Sequence, residues 1–226
     1  SDSMRAKPTK AAARGQANVA GNTPLTCPRR TPRMRPALMI LPQLIRLHLN
    51  YEKNAHAFFD LQARDALDWL QAGGIQIGPE TRMLDLGCGH GYPGQLCREA
   101  GAQVVFADFE DLRLNTLKEA PFRQIDLNQA DLADYGRHDL VMCSNVLEHL
   151  AEPNHLLSHL DQLLNPGGVF YLSWTNWLSP WGGHEFSPWH YLGKQSGPIH
   201  TVGKNLFKTY IGEVLQLLRA QKNLKV

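Results

Sequence analysis

The 226-residue sequence predicts an α/β fold, a doubly wound and mostly parallel sheet with helices on both faces. Three observations predict it. Short apolar runs alternate with helix-patterned segments, a glycine-crowded turn joins the first of those runs to the helix behind it, and 43% hydrophobic residues over this length suffice for one substantial core.

In chain order, residues 1–36 are rich in Ala, Pro, Gly, Thr and Arg and show no apolar periodicity, so they are expected to form a disordered basic tail. Eight basic residues against Asp2 give this stretch +7, which leaves −5 on the remainder of a chain whose total is +2. A net-acidic folded part is a poor phosphate-tracking surface, so no nucleic-acid partner is expected. An Arg-rich start also fits an organelle transit peptide; few serines and no clear amphipathic helix favour a mis-assigned start codon upstream of Met34 or Met39, or a solvated leader.

From Gln43 to Gln71, Leu44, Leu47, Tyr51, Ala55, Phe59, Ala66, Leu67 and Leu70 recur mostly at helical steps, and Gly73 and Gly74 stop the pattern. Residues 37–79 therefore read as a helical cap on a single domain, 37–226. Strands are expected at Met83–Leu86, Gln103–Ala107, Phe122–Ile125, Leu140–Cys143 and Val169–Ser173, with helices such as Pro93–Ala100 and Leu156–Leu164 between them. That alternation requires a parallel sheet covered on both sides, a core over 80–173. Residues 174–204 begin WTNWLSPWGGHEFSPWHYLG, with Trp174, Trp177, Trp181 and Trp189 in a stretch too punctuated by Pro and Gly for one helix. Gly203 to Gln221 reads as a helix, the main part of a C-terminal unit 205–226, and Asn223–Val226 as the start of a sixth strand.

The only notable unbroken apolar run, Ala37–Leu41, is far short of the roughly 20 residues of a membrane-spanning helix. No membrane association is expected. Cys27, Cys88, Cys97 and Cys143 lie far apart without a CxxC pair, so neither a disulfide framework nor a zinc site is indicated, and a reduced cytoplasm is the expected location.

The turn Asp85-Leu86-Gly87-Cys88-Gly89-His90-Gly91-Tyr92-Pro93-Gly94 carries the chemistry. Its glycines let a backbone approach a ligand, and Gly89 to Gly94 satisfy GxGxxG, a weak dinucleotide signal by itself. Asp85 stands at the strand end where a pyrophosphate would approach, and a carboxylate there suits a cationic ligand instead. S-adenosylmethionine carries a sulfonium and an ammonium and no phosphate.

Leu84 to Gly91, Asp108 closing the second strand, Asp126-Leu127 after the third, His138-Asp139-Leu140-Val141 opening the fourth, Asn145 to Leu150 after it and Leu164 to Gly168 before the fifth together resemble class I S-adenosylmethionine-dependent methyltransferases, type 11-like. The resemblance covers roughly residues 80–175 and implies a Rossmann-like fold whose strands 6 and 7 are missing or incomplete here. It implies S-adenosyl-L-methionine as cofactor, with Asp85, Gly87, Cys88, Gly89 and Gly91 in the turn. Asp108 would accept from both ribose hydroxyls, with Phe109 beside it. Asp126 would accept from the adenine amino group, with Leu127 offering backbone and Asp131 a rival for that place. Ser144 and Asn145 would face the crevice.

Methyl transfer needs an aligned nucleophile and, for a hydroxyl, a base. His149, close behind the fourth strand, and His184 and His190 in the tryptophan-rich segment are the candidate bases. That segment can close over the crevice as a lid and implies a flat or apolar small-molecule acceptor, most simply methylated at oxygen. His149, His184, Glu185 and His190 match no metal-ligand spacing, so no metal is expected. The alternatives are a non-catalytic S-adenosylmethionine-binding or partner-regulating protein and an NAD(P)-dependent oxidoreductase.

Overall fold

The computed structural model describes residues 40–182, 187, 189–191, 199–201 and 204–221. The basic tail, His184 and the expected sixth strand at Asn223–Val226 lie outside them. Strands β1 (Arg82–Leu86), β2 (Gln103–Asp108), β3 (Phe122–Gln124), β4 (His138–Ser144) and β5 (Leu164–Ser173) form one sheet in the order β3-β2-β1-β4-β5. Every pairing in it is parallel.

Alternation along the strands sorts the core. Met83, Val104, Phe106, Leu140 and Met142 face helices α2 (Tyr51–Ala72) and α3 (Tyr92–Glu99), packing on Ala66, Leu67, Leu70 and Cys97. Leu84, Leu86, Ala107, Val141 and Cys143 face α4 (Pro153–Ser158), α5 (Leu160–Leu163) and α6 (Ile211–Ala220). Each fully buried leucine contributes about 2 kcal/mol of transfer free energy, so both faces hold the sheet. Among the described residues no helix is long and apolar enough to cross a membrane.

Four local departures have physical causes. The long cap helix is two, α1 (Leu41–His48) and α2, because the chain leaves helical geometry at Asn50 (φ −127°, ψ 46°). The helix expected over Leu156–Leu164 is α4 and α5, broken at His159, whose Nδ1 bonds the His155 carbonyl at 2.6 Å. The C-terminal helix begins only at Ile211. Before it, β6 (Ile199–Thr201) and β7 (Lys204–Leu206) make an antiparallel pair separate from the main sheet, and Leu206 and Tyr210 pack on Trp177 rather than along a helix face.

No α-helix connects β2 to β3. A single 3-10 turn, Asn115–Leu117, and the buried Arg113 do so. The Arg113 guanidinium lies 5.3 Å from the Phe106 ring centroid and 4.7 Å from that of Phe122. It donates to the Leu117 and Ala120 carbonyls at 2.8 and 3.0 Å and to both Asp111 oxygens at 2.8 and 2.9 Å.

Candidate active site

The strand order reverses between β1 and β4, and the candidate cofactor residues leave the C-terminal ends of β1, β2, β3 and β4 around that point, where open α/β sheets bind ligands. After β1 the chain doubles back, with the Gly87 and Cys88 N–H groups donating to the Ala107 carbonyl at 2.7 and 3.1 Å. Gly89 then takes φ +51°, and a Cβ built on it meets no atom of the described residues within 4 Å. The loop is therefore open on the side where backbone can meet a ligand. Gly94 is the opposite case. A Cβ there would lie 2.3 Å from the Phe106 ring and 2.8 Å from Asp85 Oδ2, so glycine is what lets α3 approach the sheet.

The two acids of the turn are arranged differently. Asp85 is 2% exposed and sits beneath the loop, its Oδ2 accepting from the Gly94 N–H at 2.9 Å. Burial pushes its carboxyl up to about 7, against the pull of that N–H, and Asp108 adds to the rise. Asp108, at the end of β2, is half-buried and accepts from Gly89 N–H at 2.6 Å and from Phe109 N–H at 2.7 Å. The glycine loop and the end of β2 are thus joined by a carboxylate, next to the 66% exposed Phe109. Cys88 is buried and its thiol is pushed up, first by desolvation and then by Asp85 and Asp108, so it stays protonated.

Past β3, Asp126 Oδ1 accepts from the backbone and side-chain nitrogens of Asn128 at 3.0 and 3.2 Å, and Leu127 is buried in the core. Its rival Asp131 is occupied elsewhere, capping the turn Leu132–Tyr135 through the Ala133 N–H at 3.0 Å. Past β4, Ser144 Oγ meets Ser173 Oγ at 2.8 Å, and Asn145 holds φ +55° while its N–H reaches the Ser173 carbonyl at 2.9 Å.

A methyltransferase domain model matches residues 47–215 of the chain. An uncharacterized methyltransferase of Mycobacteroides abscessus is 29% identical over 75% of this chain and 74% of its own length. The ubiquinone biosynthesis O-methyltransferase of Bordetella avium is 31% identical over 49% of this chain and 48% of its own length. Apart from the first, the chain spans about half the length of the curated relatives it matches. A crystal structure of an S-adenosylmethionine-dependent methyltransferase from Mesorhizobium loti shares the fold, with a TM-score of 0.53, 22% identity and coverage of 70% of this chain and 81% of that one.

The chain belongs to the methyltransferase domain family. As a class I methyltransferase it takes S-adenosyl-L-methionine as cofactor, and the residues present fit that group: the space above Gly89 is free, and Asp108 stands at the strand end beside it.

The candidate bases of the methyltransferase are not all brought together. His149 closes the turn Leu147–His149 behind β4, beside the crevice. His190 is 4% exposed, edge-on to Trp177 with ring centroids 5.1 Å apart, and neither of its ring nitrogens has a hydrogen-bond partner among the described residues. It packs on Trp177, which clusters with Leu206 and Tyr210, and no contact among the described residues joins it to the strand-end residues. Among the described residues no group of three or more His, Cys, Asp or Glu could hold a metal. A groove of about 670 Å³ between Leu150–Pro153 and α6 contains none of the candidate residues.

One residue, named from the sequence only beside His149 as a place to look for the base, has a structural part that the sequence does not show. Glu148 is fully buried; its Oε1 accepts from the Thr175 N–H at 3.0 Å, its carbonyl accepts from the Phe207 N–H at 2.8 Å, and Oε2 is buried without a partner among the described residues. It ties the turn behind β4 to the start of the tryptophan-rich segment, and burial pushes its carboxyl up. The only signal was its place next to His149; a lone sequence carries no mark that a glutamate there is buried.

Asp108→Ala is expected to weaken S-adenosylhomocysteine binding by about 1.5 to 3 kcal/mol, because a charged acceptor is lost from the site and Gly89 N–H is left unpaired. Calorimetric titration measures it, and an unchanged affinity would remove Asp108 from the cofactor site.

Proposed function

We propose that this chain transfers the methyl group of S-adenosylmethionine to an oxygen of a small-molecule acceptor. The observation that carries the reading is the carboxylate of Asp108 bonded across the loop to Gly89, beneath free space and above a second, buried acid, Asp85. Asp108 offers a ribose diol two acceptor oxygens, and Asp85 Oδ2 already takes the Gly94 N–H at the start of α3, a donor that a pyrophosphate would use, which disfavours a nicotinamide dinucleotide. The O-methyltransferase among the relatives supports oxygen as the atom methylated.

When bound, the cofactor supplies a methyl carbon already activated by its sulfonium. The chain's own residues then have three tasks: Asp108, Phe109, Asp126 and the Leu127 backbone hold the nucleoside end, Gly87, Cys88, Gly89 and Gly91 with Ser144 and Asn145 border the methionyl end, and a histidine receives the acceptor's hydroxyl proton. Histidine suits that work because its ordinary pKa of about 6.5 lies near neutral pH. His149 is fixed by the strand end, whereas His190 is buried against Trp177 and reaches an acceptor only once that packing opens.

His190→Ala, like His184→Ala, is therefore expected to lower turnover by about 10² with cofactor affinity nearly intact, whereas His149→Ala disturbs both. The measurement is transfer of labelled methyl groups across a small-molecule library, preceded by titration with S-adenosylhomocysteine and with NAD. Tight binding of NAD in place of S-adenosylhomocysteine would sink the reading, and wild-type turnover without both lid histidines would sink the role of the lid. The second reading, a non-catalytic cofactor-binding protein, draws on the burial of both His190 nitrogens, and cofactor binding without transfer to any library member would favour it.

A further inference from the structure

Helix α1 buries no residue, and α2 buries only Ala63, Ala66, Leu67 and Leu70, all beyond its midpoint. The first half of α2 nevertheless carries Tyr51, Phe58 and Phe59, large rings that the sheet's core does not use. They make one continuous surface of rings. Phe59 stacks on Tyr92 at 6.2 Å and 22° and lies 5.9 Å from His90, both residues of the glycine turn. His56, one turn earlier on α2, bonds the Tyr92 hydroxyl through Nδ1 and lies 6.1 Å from the His90 ring. At the other end, Tyr51 and Phe58 meet His48 of α1, which is edge-on to Trp181 of the tryptophan-rich segment at 5.6 Å.

The surface thus runs from the glycine turn to the segment that follows β5. Tyr51 stays 41% exposed, and His56 and His90 are exposed. These rings tie α2 to the glycine turn and still leave ring area exposed, at Tyr51 and His90 above all, on which a flat ligand can stack.

We propose that this ring surface is a stacking platform that selects a planar aromatic acceptor bearing a hydroxyl, with the ring laid on Phe59 and His90 and the hydroxyl directed to the His56–Tyr92 pair. The inference rests on the methyltransferase reading above and adds the acceptor class to it. Stacking accounts for the flat ring, and the hydrogen-bonded pair at one end gives the hydroxyl a polar partner in an otherwise apolar wall.

The test uses the whole chain saturated with S-adenosylhomocysteine and titrates it with 2-naphthol and with its saturated, non-planar analogue decahydro-2-naphthol. The platform predicts that 2-naphthol binds at least about fivefold more tightly than the analogue, the size of an aromatic-pair preference, and that Phe59→Leu removes the difference while cofactor affinity stays within about threefold. Ring-current shifts of the His56 and His90 side-chain resonances in the wild type give a second readout that does not depend on any variant folding. Equal affinity for the two probes, no binding of 2-naphthol, or shifts confined to other residues would overturn the platform. Failure of S-adenosylhomocysteine to bind at all would overturn the methyl-donor reading beneath it, so the two failures are distinguishable.

Discussion

A Gly89→Val protein will fold and will no longer bind S-adenosylhomocysteine. Gly89 holds φ +51°, in the left-handed region that a β-branched residue occupies only with strain, on the order of 1–2 kcal/mol. Among the described residues no atom lies within 4 Å of its would-be Cβ, so the added side chain projects into the open side of the loop. The same strain shifts the N–H that holds Asp108 at 2.6 Å, so the loop and the end of β2 lose their register together. The expected loss in affinity is at least about 10²-fold, or 2.7 kcal/mol, with a melting temperature lowered by only a few degrees. Gly94→Val is the contrasting case: its side chain runs into Phe106 and Asp85, and the expected result is loss of the fold itself. Calorimetry and thermal melting on the two variants separate loss of binding from loss of structure. A folded Gly89→Val that binds normally would show that the loop does not meet the cofactor.

The second large effect is a dependence of stability on pH that originates at Asp85. Its carboxyl is fully buried and stands at about 7 in the folded chain, against 3.8 when solvated. The folded state therefore holds a proton that the unfolded state releases. The contribution to stability is complete below pH 3.8 and is lost as pH rises through about 7. A gap of this size corresponds to roughly 4 kcal/mol. Asp85→Asn keeps an oxygen for the Gly94 N–H and carries no charge, so in the absence of cofactor the variant is expected to be more stable than wild type by a few kcal/mol above pH 7, with the gap closing toward pH 4. Urea unfolding between pH 4 and 8.5 measures it, and parallel pH profiles would refute it. Glu148, also raised by burial, acts in the same direction and accounts for any slope that remains in the variant.

The five parallel strands and the glycine turn were legible because each is a local signal: apolar runs such as Leu140–Cys143 need nothing beyond themselves to be recognised, and a turn that must bend sharply at β1 has to use glycine. What stayed hidden depends on distant partners. The apolar spacing of Leu206, Phe207 and Tyr210 fits a helix equally well, and only Trp177, about thirty residues earlier, draws Leu206 and Tyr210 into a separate cluster. The burial of Glu148 is fixed by Thr175 and Phe207, neither near it in sequence. The tryptophan-rich segment was visible as composition, but the rings of α2 that meet the glycine turn were not read as its neighbours, since their association with His90 and Tyr92 is a tertiary fact. His184 lies outside the described residues.

The connection from β2 to β3 has a mechanical consequence. A helix there would loosen from its ends, one residue at a time, and would tolerate a weak position. Arg113 instead gathers two carbonyls, one carboxylate and two aromatic faces on a single side chain, so this loop is a clasp that is either shut or fully open. Lysine cannot replace it, because a point charge lacks the flat fork that serves all five partners at once. Arg113 and Lys118 together hold the Asp111 carboxyl well below the usual carboxylate range. The Asp111 carboxylate therefore stays charged further into acid than a solvated aspartate, and the ion pair that closes the loop behind Asp108 is kept with it.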